Sequence, residues 1–494
     1  MMNRWAVGAL FIGAACLVAI TTGYALNNPV IAVIASLAAV AAYLSLRLDG
    51  WRRLFAITVI LLLCASSNIP ALVELSFYPR YVAVACLVAW TFLEHGSGRA
   101  NRRPNHWSQL LVGALWGAAG LATLSSIWSL TPLHTLQQGI ALLLLAALVH
   151  ALILRRWTDQ TRIAKDLGTA SALLSVSFTV SLVYGFSGGT LGWSFSDRFQ
   201  GFYANPNMLG IMCALAIPLG WTVYRQSRRR VHLLGIAPAV LALALSESRT
   251  ALLATLVGAA WVVFRHGIGP LSRIAGLAAL AVAMVYFFNA ASLITGSPWV
   301  RELTARFTDP EGGDLSNQRT EAWQAAVDLW KTRPSLGFGY SAGSHLFEQT
   351  REDELFDVSI NLVHNSYLQW LLELGVAGGS LLILLISACT WAVVRASVAG
   401  INSGLVWLIV TGLLIQVTES AMFGLGQPYP YLFWLAAAAV LLHARAEARP
   451  IQSHRKDSTP GLPGVGHPGE FAGLHRGQDP IGTDAGHGGI PLLR

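Results

Sequence analysis

Residues 368–395 read LQWLLELGVAGGSLLILLISACTWAVVR, an apolar run with one carboxylate, Glu373, inside it and one arginine, Arg395, at its end. A helix that is apolar on every face belongs in a large protein core or in lipid, and about 20 such residues suffice to cross a bilayer. The rest of the chain decides between the two. Of 494 residues, 54% are hydrophobic and only 12% are charged, where a soluble domain carries about 25% charged residues. The solvent this chain is built for is a membrane, which excludes an ordinary water-soluble enzyme.

Working outward, similar runs occupy roughly 5–25, 28–46, 54–72, 80–94, 107–128, 134–154, 169–187, 206–224, 231–246, 250–265, 273–293, 402–418 and 429–446. The expected fold is an all-α polytopic membrane protein with about 14 transmembrane helices, or 12 if the shortest segments only half insert. Its parts are an N-terminal helix bundle (1–293), a long loop domain carrying catalytic residues (294–365), C-terminal transmembrane helices (366–446), and a Gly- and Pro-rich tail (447–494) that is expected to be disordered and cytoplasmic.

Short loops on the cytoplasmic side collect Lys and Arg. One set of alternate loops holds Arg4, Arg47, Arg52, Arg53, Arg99, Arg102, Arg103, Arg155, Arg156, Arg162, Lys165, Arg225, Arg228, Arg229, Arg230, Arg265, Arg273 and Arg395. The opposite set holds only Arg80, Arg198 and Arg249. The first side is therefore read as cytoplasmic, with both termini there, and the net charge of +8 as a sign of topology. Scattered basic groups of this kind make no nucleic-acid face. The five cysteines all lie in apolar stretches without CxxC spacing, so neither a zinc site nor a disulfide framework is indicated.

The loop 294–365 has six Lys or Arg and eleven Asp or Glu and falls on the outer side. Within it, Asn317 to Lys331 reads as an amphipathic helix on Trp323, Val327 and Trp330, ending before Pro334 and able to lie at the membrane surface. The outer arginines of the short loops stand beside long apolar runs, where charge is expensive and usually faces a cavity or partner. Arg198 precedes Phe199-Gln200-Gly201-Phe202-Tyr203-Ala204-Asn205-Pro206-Asn207, a shaped turn leading into a helix, and Arg249 lies in Ser246-Glu247-Ser248-Arg249-Thr250. On composition alone, Arg198 also reads as an interfacial snorkel, Arg249 as an ion-pair partner of Glu247, and Arg319 as part of a solvated helix face. A fourth candidate, His364, stands in Val363-His364-Asn365-Ser366-Tyr367, where the loop re-enters the membrane. A lone His at such a junction is commonly structural, but guanidinium company favours its neutral, proton-accepting form.

Several arginines and a His at one rim suit the displacement of a diphosphate leaving group from a lipid-linked substrate. Arginine binds phosphate oxygens bidentately and stays charged, while a His can take the proton of an attacking hydroxyl. Metal assistance would need a compact carboxylate set. The best cluster, Glu352-Asp353-Glu354 with Asp357, is a weak one, and His454, His467, His475 and His487 are irregularly spaced. No P-loop and no GxSxG occurs, so nucleotide chemistry is not supported.

These pieces, in this order, resemble the O-antigen ligase and polymerase superfamily of bacterial polytopic glycosyltransferases over roughly residues 105–445. The resemblance rests on Arg198 to Asn207, Ser246 to Thr250, Arg319 with Trp323, Pro334-Ser335-Leu336-Gly337-Phe338-Gly339-Tyr340, and His364 to Gln369 followed by Glu373-Leu374-Gly375. It implies an O-antigen ligase that moves a glycan from undecaprenyl diphosphate to the lipid A core oligosaccharide. The reaction would lie on the periplasmic face of the inner membrane, among membrane lipids and without metal or other cofactor. It further implies that Arg249 and Arg319 hold the diphosphate, with Arg198 a less certain third, that His364 is the general base, and that Asn365 and Tyr367 support it. Rival readings are an O-antigen polymerase, a protein O-oligosaccharyltransferase and, from a different class, a flippase for the lipid-linked glycan. The last usually shows internal repeats and midplane charges, neither of which is clear here.

Overall fold

The structure, a computed structural model, describes residues 48–94, 105–157, 160–186, 192–194, 198–265, 274, 319–352, 363–396, 402–421 and 423–443. The expected segments 5–25 and 28–46, nearly all of 273–293, and the tail lie outside the described residues. Every other expected membrane segment is built on a helix. In chain order the described helices are α1 (Gly50–Ala65), α2 (Pro70–Ser76), α3 (Pro79–Leu93), α4 (His106–Leu124), α5 (Pro132–Ala151), α6 (Gln160–Phe186), α7 (Pro206–Ser227), α8 (Val231–Leu245), α9 (Arg249–Arg265), α10 (Arg319–Thr332), α11 (Gly343–Glu352), α12 (Ser366–Arg395), α13 (Asn402–Ile415) and α14 (Pro428–His443). Among the described residues, six stretches are long and apolar enough to cross a membrane: Pro70–Leu93, His106–Ile127, Pro132–Arg156, Gln160–Phe186, Pro206–Ser227 and Ser366–Arg395. Shorter apolar helices lie at Val231–Leu245, Ser403–Ile415 and Pro428–Leu442. The chain is a multi-pass helical membrane protein.

Two boundaries differ from the hydropathy reading, each for a local reason. The segment expected over 54–72 breaks at Ser66–Ile69, because this stretch pairs with a distant loop instead of continuing its helix. Asn68 donates its backbone N–H to the Phe202 carbonyl (2.7 Å), and Ala204 donates back to Ser66 (2.9 Å). Pro70 and Pro79 then open α2 and α3 at positions where a missing N–H costs nothing. Helix α6, expected from 169, begins at Gln160, since its charged first turns are paired. Asp166 takes both arms of Arg156 (2.9 and 3.0 Å) and the Trp157 indole (3.2 Å), Glu94 adds a contact at 3.2 Å, and the Arg156 guanidinium lies 3.6 Å over the Trp51 ring. A wider π-helical turn at Leu152–Arg156 sets that arginine in place.

Helix α14 lies deep among the described helices. Tyr431 and every residue from Phe433 to Leu441 are buried, and the helix touches α1, α4, α5, α7, α12 and α13. A run of four alanines, Ala436 to Ala439, lets neighbouring helices approach closely. Its far end is tied to the start of α4, where Asn105 donates its amide to the Leu441 carbonyl.

Helix α12 is interrupted at Gly375, whose φ of 60° and ψ of −159° are accessible to glycine alone. The carbonyls and N–H groups freed at that break are taken up by the segment after α10. Phe338 and Gly339 donate to Leu372 (3.2 Å) and Glu373 (2.8 Å), and Val376 donates to Pro334 (2.8 Å). The two motifs Pro334 to Tyr340 and Glu373-Leu374-Gly375 are therefore the two halves of one joint. The buried Glu373 carboxylate extends that joint, accepting from the Ser341 and Gly343 N–H groups at the start of α11 (2.7 and 3.2 Å).

Helix α10 follows the expected span closely, but its buried stripe is different. Ala322, Ala325 and Ala326 pack into a cluster with Phe338, Leu346, Phe347, Val363 and Leu372, and Trp323, Leu329 and Trp330 flank it. Small residues face inward because the helix docks close against α12.

Candidate active site

The site forms where α7, α9 and α12 begin and α8 and α13 end. Three helix N-termini there bring the positive ends of their dipoles to one rim. Each start is fixed by its sequence. Asn205 caps α7 by accepting from the Met208 N–H (2.8 Å), with Pro206 in the first turn. Asn365 caps α12, accepting from Tyr367 and Leu368 (both 3.0 Å).

Arg198 lies in the loop that leads to α7. Its guanidinium donates to the Ser246 carbonyl from Nε (3.1 Å) and Nη2 (2.9 Å), and to the Asn207 side-chain oxygen (2.8 Å). It is thus built into the site and is no snorkel. Phe199, Phe202 and Tyr203 anchor the loop with fully buried rings. Gly201, with φ of 57°, turns it where a Cβ would strike the Ser181 hydroxyl. Burial above all, then the neighbouring Arg249 and Arg319 charges, hold the Arg198 guanidinium below its usual range, against the pull of Glu247 and Glu419.

Arg319, the first residue of α10, is 18% exposed and donates to Glu419 Oε1 at 2.7 Å, so it is not part of a solvated face. His364 faces the same carboxylate, its Nδ1 3.7 Å from Oε2. The Asn207 amide donates to Oε1 at 3.3 Å. Glu419 therefore joins Arg319, His364 and, through Asn207, Arg198. Arg249, at the first turn of α9, stands within electrostatic reach of Arg198. The structure brings all four sequence-derived candidates to one rim.

His364 has a left-handed backbone, with φ of 50°, as does Glu247 with 51°. Such conformations cost a non-glycine residue about 1–3 kcal/mol and cluster at functional sites. The neighbours hold His364 there. Ser366 donates its N–H to the Gln416 carbonyl (2.9 Å) and its hydroxyl to the Gln416 side chain and the Glu419 carbonyl, and it accepts from Ala421 (3.0 Å). Tyr367 donates its hydroxyl to Leu413 (2.8 Å), tying α12 to α13. Asn365 and Tyr367 thus both help to build the frame around His364.

Glu419 was missed from sequence. Its signal is a single carboxylate in Thr418-Glu419-Ser420 at the end of an apolar segment, where charge is expensive unless it is used. Asp353, Glu354 and Asp357, the core of the weak acidic cluster, lie outside the described residues. Chemically, three guanidinium groups and three helix N-termini against few carboxylates make an anion site with an imidazole at its edge.

Residues 234–383 match the family model described as O-antigen ligase. No curated protein matches the chain significantly. Arg249, Arg319 and His364 fall within the matched segment, as do the two motifs that join at Gly375, whereas Arg198, Asn207 and Glu419 reach the same rim from outside it. Residues 234–383, under a third of the chain, are thus similar to the O-antigen ligase family, within a chain that is a multi-pass membrane protein.

Proposed function

We propose that the protein is an O-antigen ligase of the bacterial inner membrane, its rim of arginines facing the periplasm, and that it transfers O-antigen from undecaprenyl diphosphate to the lipid A core oligosaccharide. The observation that carries this reading is the meeting of Arg198, Arg319 and His364 around Glu419, within and beside the segment that matches the ligase family. Arg249, Arg319 and Arg198 bind the diphosphate. His364 takes the proton of an acceptor sugar hydroxyl, whose oxygen forms a bond to the anomeric carbon of the donor. The bond from that carbon to the diphosphate oxygen breaks, and undecaprenyl diphosphate leaves with the electron pair. The arginines meet its developing charge, the role a metal ion plays elsewhere. One in-line displacement inverts the anomeric configuration.

The test is gel analysis of lipopolysaccharide from a deletion strain complemented with the wild-type chain or with His364→Ala. Bare core in the deletion, with a ladder restored by wild type and not by the variant, is the expected outcome. Core carrying a single repeat would make the protein a polymerase. An unchanged ladder in the deletion would sink the proposal in favour of protein glycosylation or transport.

A further inference from the structure

Beside the arginine rim lies a second concavity that no residue of the proposed reaction yet uses. It is a cavity of about 300 Å³ walled by the start of α5, the first turns of α12, the Tyr340-Ser341 turn and the loop 420–427. Its position is set by the catalytic elements themselves. Ser366, on its wall, is two residues past His364, and Ser420 follows Glu419 directly.

The chemistry of its wall differs from that of the rim. No Lys or Arg lines it among the described residues, so a diphosphate has no partner there. The lining is instead amide, hydroxyl and imidazole: Gln138, Gln369, Gln427, Ser341, Ser420 and His134, with the Glu373 carboxylate behind them. Two of these groups, the Ser420 hydroxyl and the Gln427 side-chain oxygen, are buried and have no hydrogen-bond partner among the described residues. A buried polar atom without a partner costs about 1–3 kcal/mol, so such groups point to a ligand that can satisfy them. An aromatic wall completes the cavity. Trp370 stacks on Phe423 with ring centroids 4.1 Å apart, and Tyr340 meets Trp370 edge-on at 5.7 Å.

Amide, hydroxyl and imidazole groups beside aromatic side chains suit a sugar ring, which has hydroxyls at its edge and C–H groups on its faces. The volume lies at the low end of the range of about 300–1,000 Å³ for small-molecule sites. We propose that this cavity is the acceptor subsite, holding one uncharged sugar ring of the acceptor saccharide between Gln138 of α5 and Gln427, so that its neighbouring hydroxyl reaches His364. This rests on the transferase reading above and adds to it where the acceptor sits and which residues select it. Gln138 and Gln427 bind the acceptor and take no part in gripping the donor.

The experiment uses the full-length protein in detergent with lipid-linked O-antigen and purified lipid A core, comparing wild type with Gln138→Leu and Gln427→Leu. Both variants should raise the acceptor KM about tenfold, the loss of roughly one hydrogen bond at about 1.4 kcal/mol per factor of ten. Donor KM and the rate at saturating acceptor should stay within about twofold of wild type. Binding of fluorophore-labelled, delipidated core oligosaccharide, measured by equilibrium dialysis, gives a readout that needs no turnover. Unchanged acceptor KM in both variants would overturn the subsite while leaving the transferase intact. A wild type that binds the oligosaccharide, with the variants impaired, but transfers nothing to core would retain the subsite and overturn the reaction. Absence of both binding and transfer in the wild type would overturn the two together.

Discussion

Glu419 presents one carboxylate to three partners, and the roles of those partners separate when its charge is removed. A Glu419→Gln side chain keeps the size and an oxygen for Arg319 or Asn207, but it cannot pair with two cations or hold the ring of a His that gains a proton. Turnover should fall by about 100-fold, the scale of a positioned acid–base partner, while the amount of protein in the membrane stays near wild type. Transfer assays with matched immunoblots read both quantities. Loss of activity matched by loss of protein would mean that Glu419 acts on folding alone. At this scale the cations were legible in the sequence. Arg198 and Arg249 stand out because basic residues are scarce in their set of short loops, where each lies near long apolar runs, whereas Arg319 and His364 stand out by the motifs that carry the resemblance. Glu419 was not, because two helices separate it from His364 and the residues around it carry no spacing. Its meaning comes from what faces it, and only the fold supplies that.

The joint at Gly375 belongs to the scale of elements. A Cβ there would come within 2.4 Å of the Ser335 backbone, and the φ of 60° is itself a conformation that side chains avoid. Gly375→Ala should therefore destabilise the protein by at least about 1–3 kcal/mol, since either the break in α12 or its docked partner must shift. A lowered melting temperature of the purified protein, with activity lost in parallel, is the expected result. An unchanged melting temperature would show that the joint is compliant. Among the described residues, hydropathy located the helices because lipid demands long apolar runs. It read their interruptions poorly. The break at Ser66–Ile69, the early start of α6 and the alanine stripe of α10 all depend on a distant partner, namely Phe202, Arg156 and α12 in turn.

At the scale of the molecule, contacts among the described residues place two groups of charges at two ends. Arg80, Arg198 and Arg249 lie towards the rim of the site, with the Arg80 guanidinium against Gly426. Arg52, Arg156, Arg162, Asp49 and Glu94 gather at the other end. If the rim faces the periplasm as proposed, a cysteine at Ser341 in a cysteine-free background should react with a membrane-impermeant maleimide in intact cells once the outer membrane is breached. One at Arg162 should react only after the inner membrane is opened, and the reverse pattern would invert the orientation. The position of α14 has another consequence, for biosynthesis. The ribosome delivers a chain from its N-terminus, so this helix emerges after every element it touches, yet it occupies the centre of them. Until it inserts, α1, α4, α5, α7, α12 and α13 surround an unfilled slot, and the Asn105 amide waits for the carbonyl of Leu441. Assembly of this bundle must therefore leave a lateral opening through which its axis can enter, and the insertion of one late helix completes the packing of the described helices.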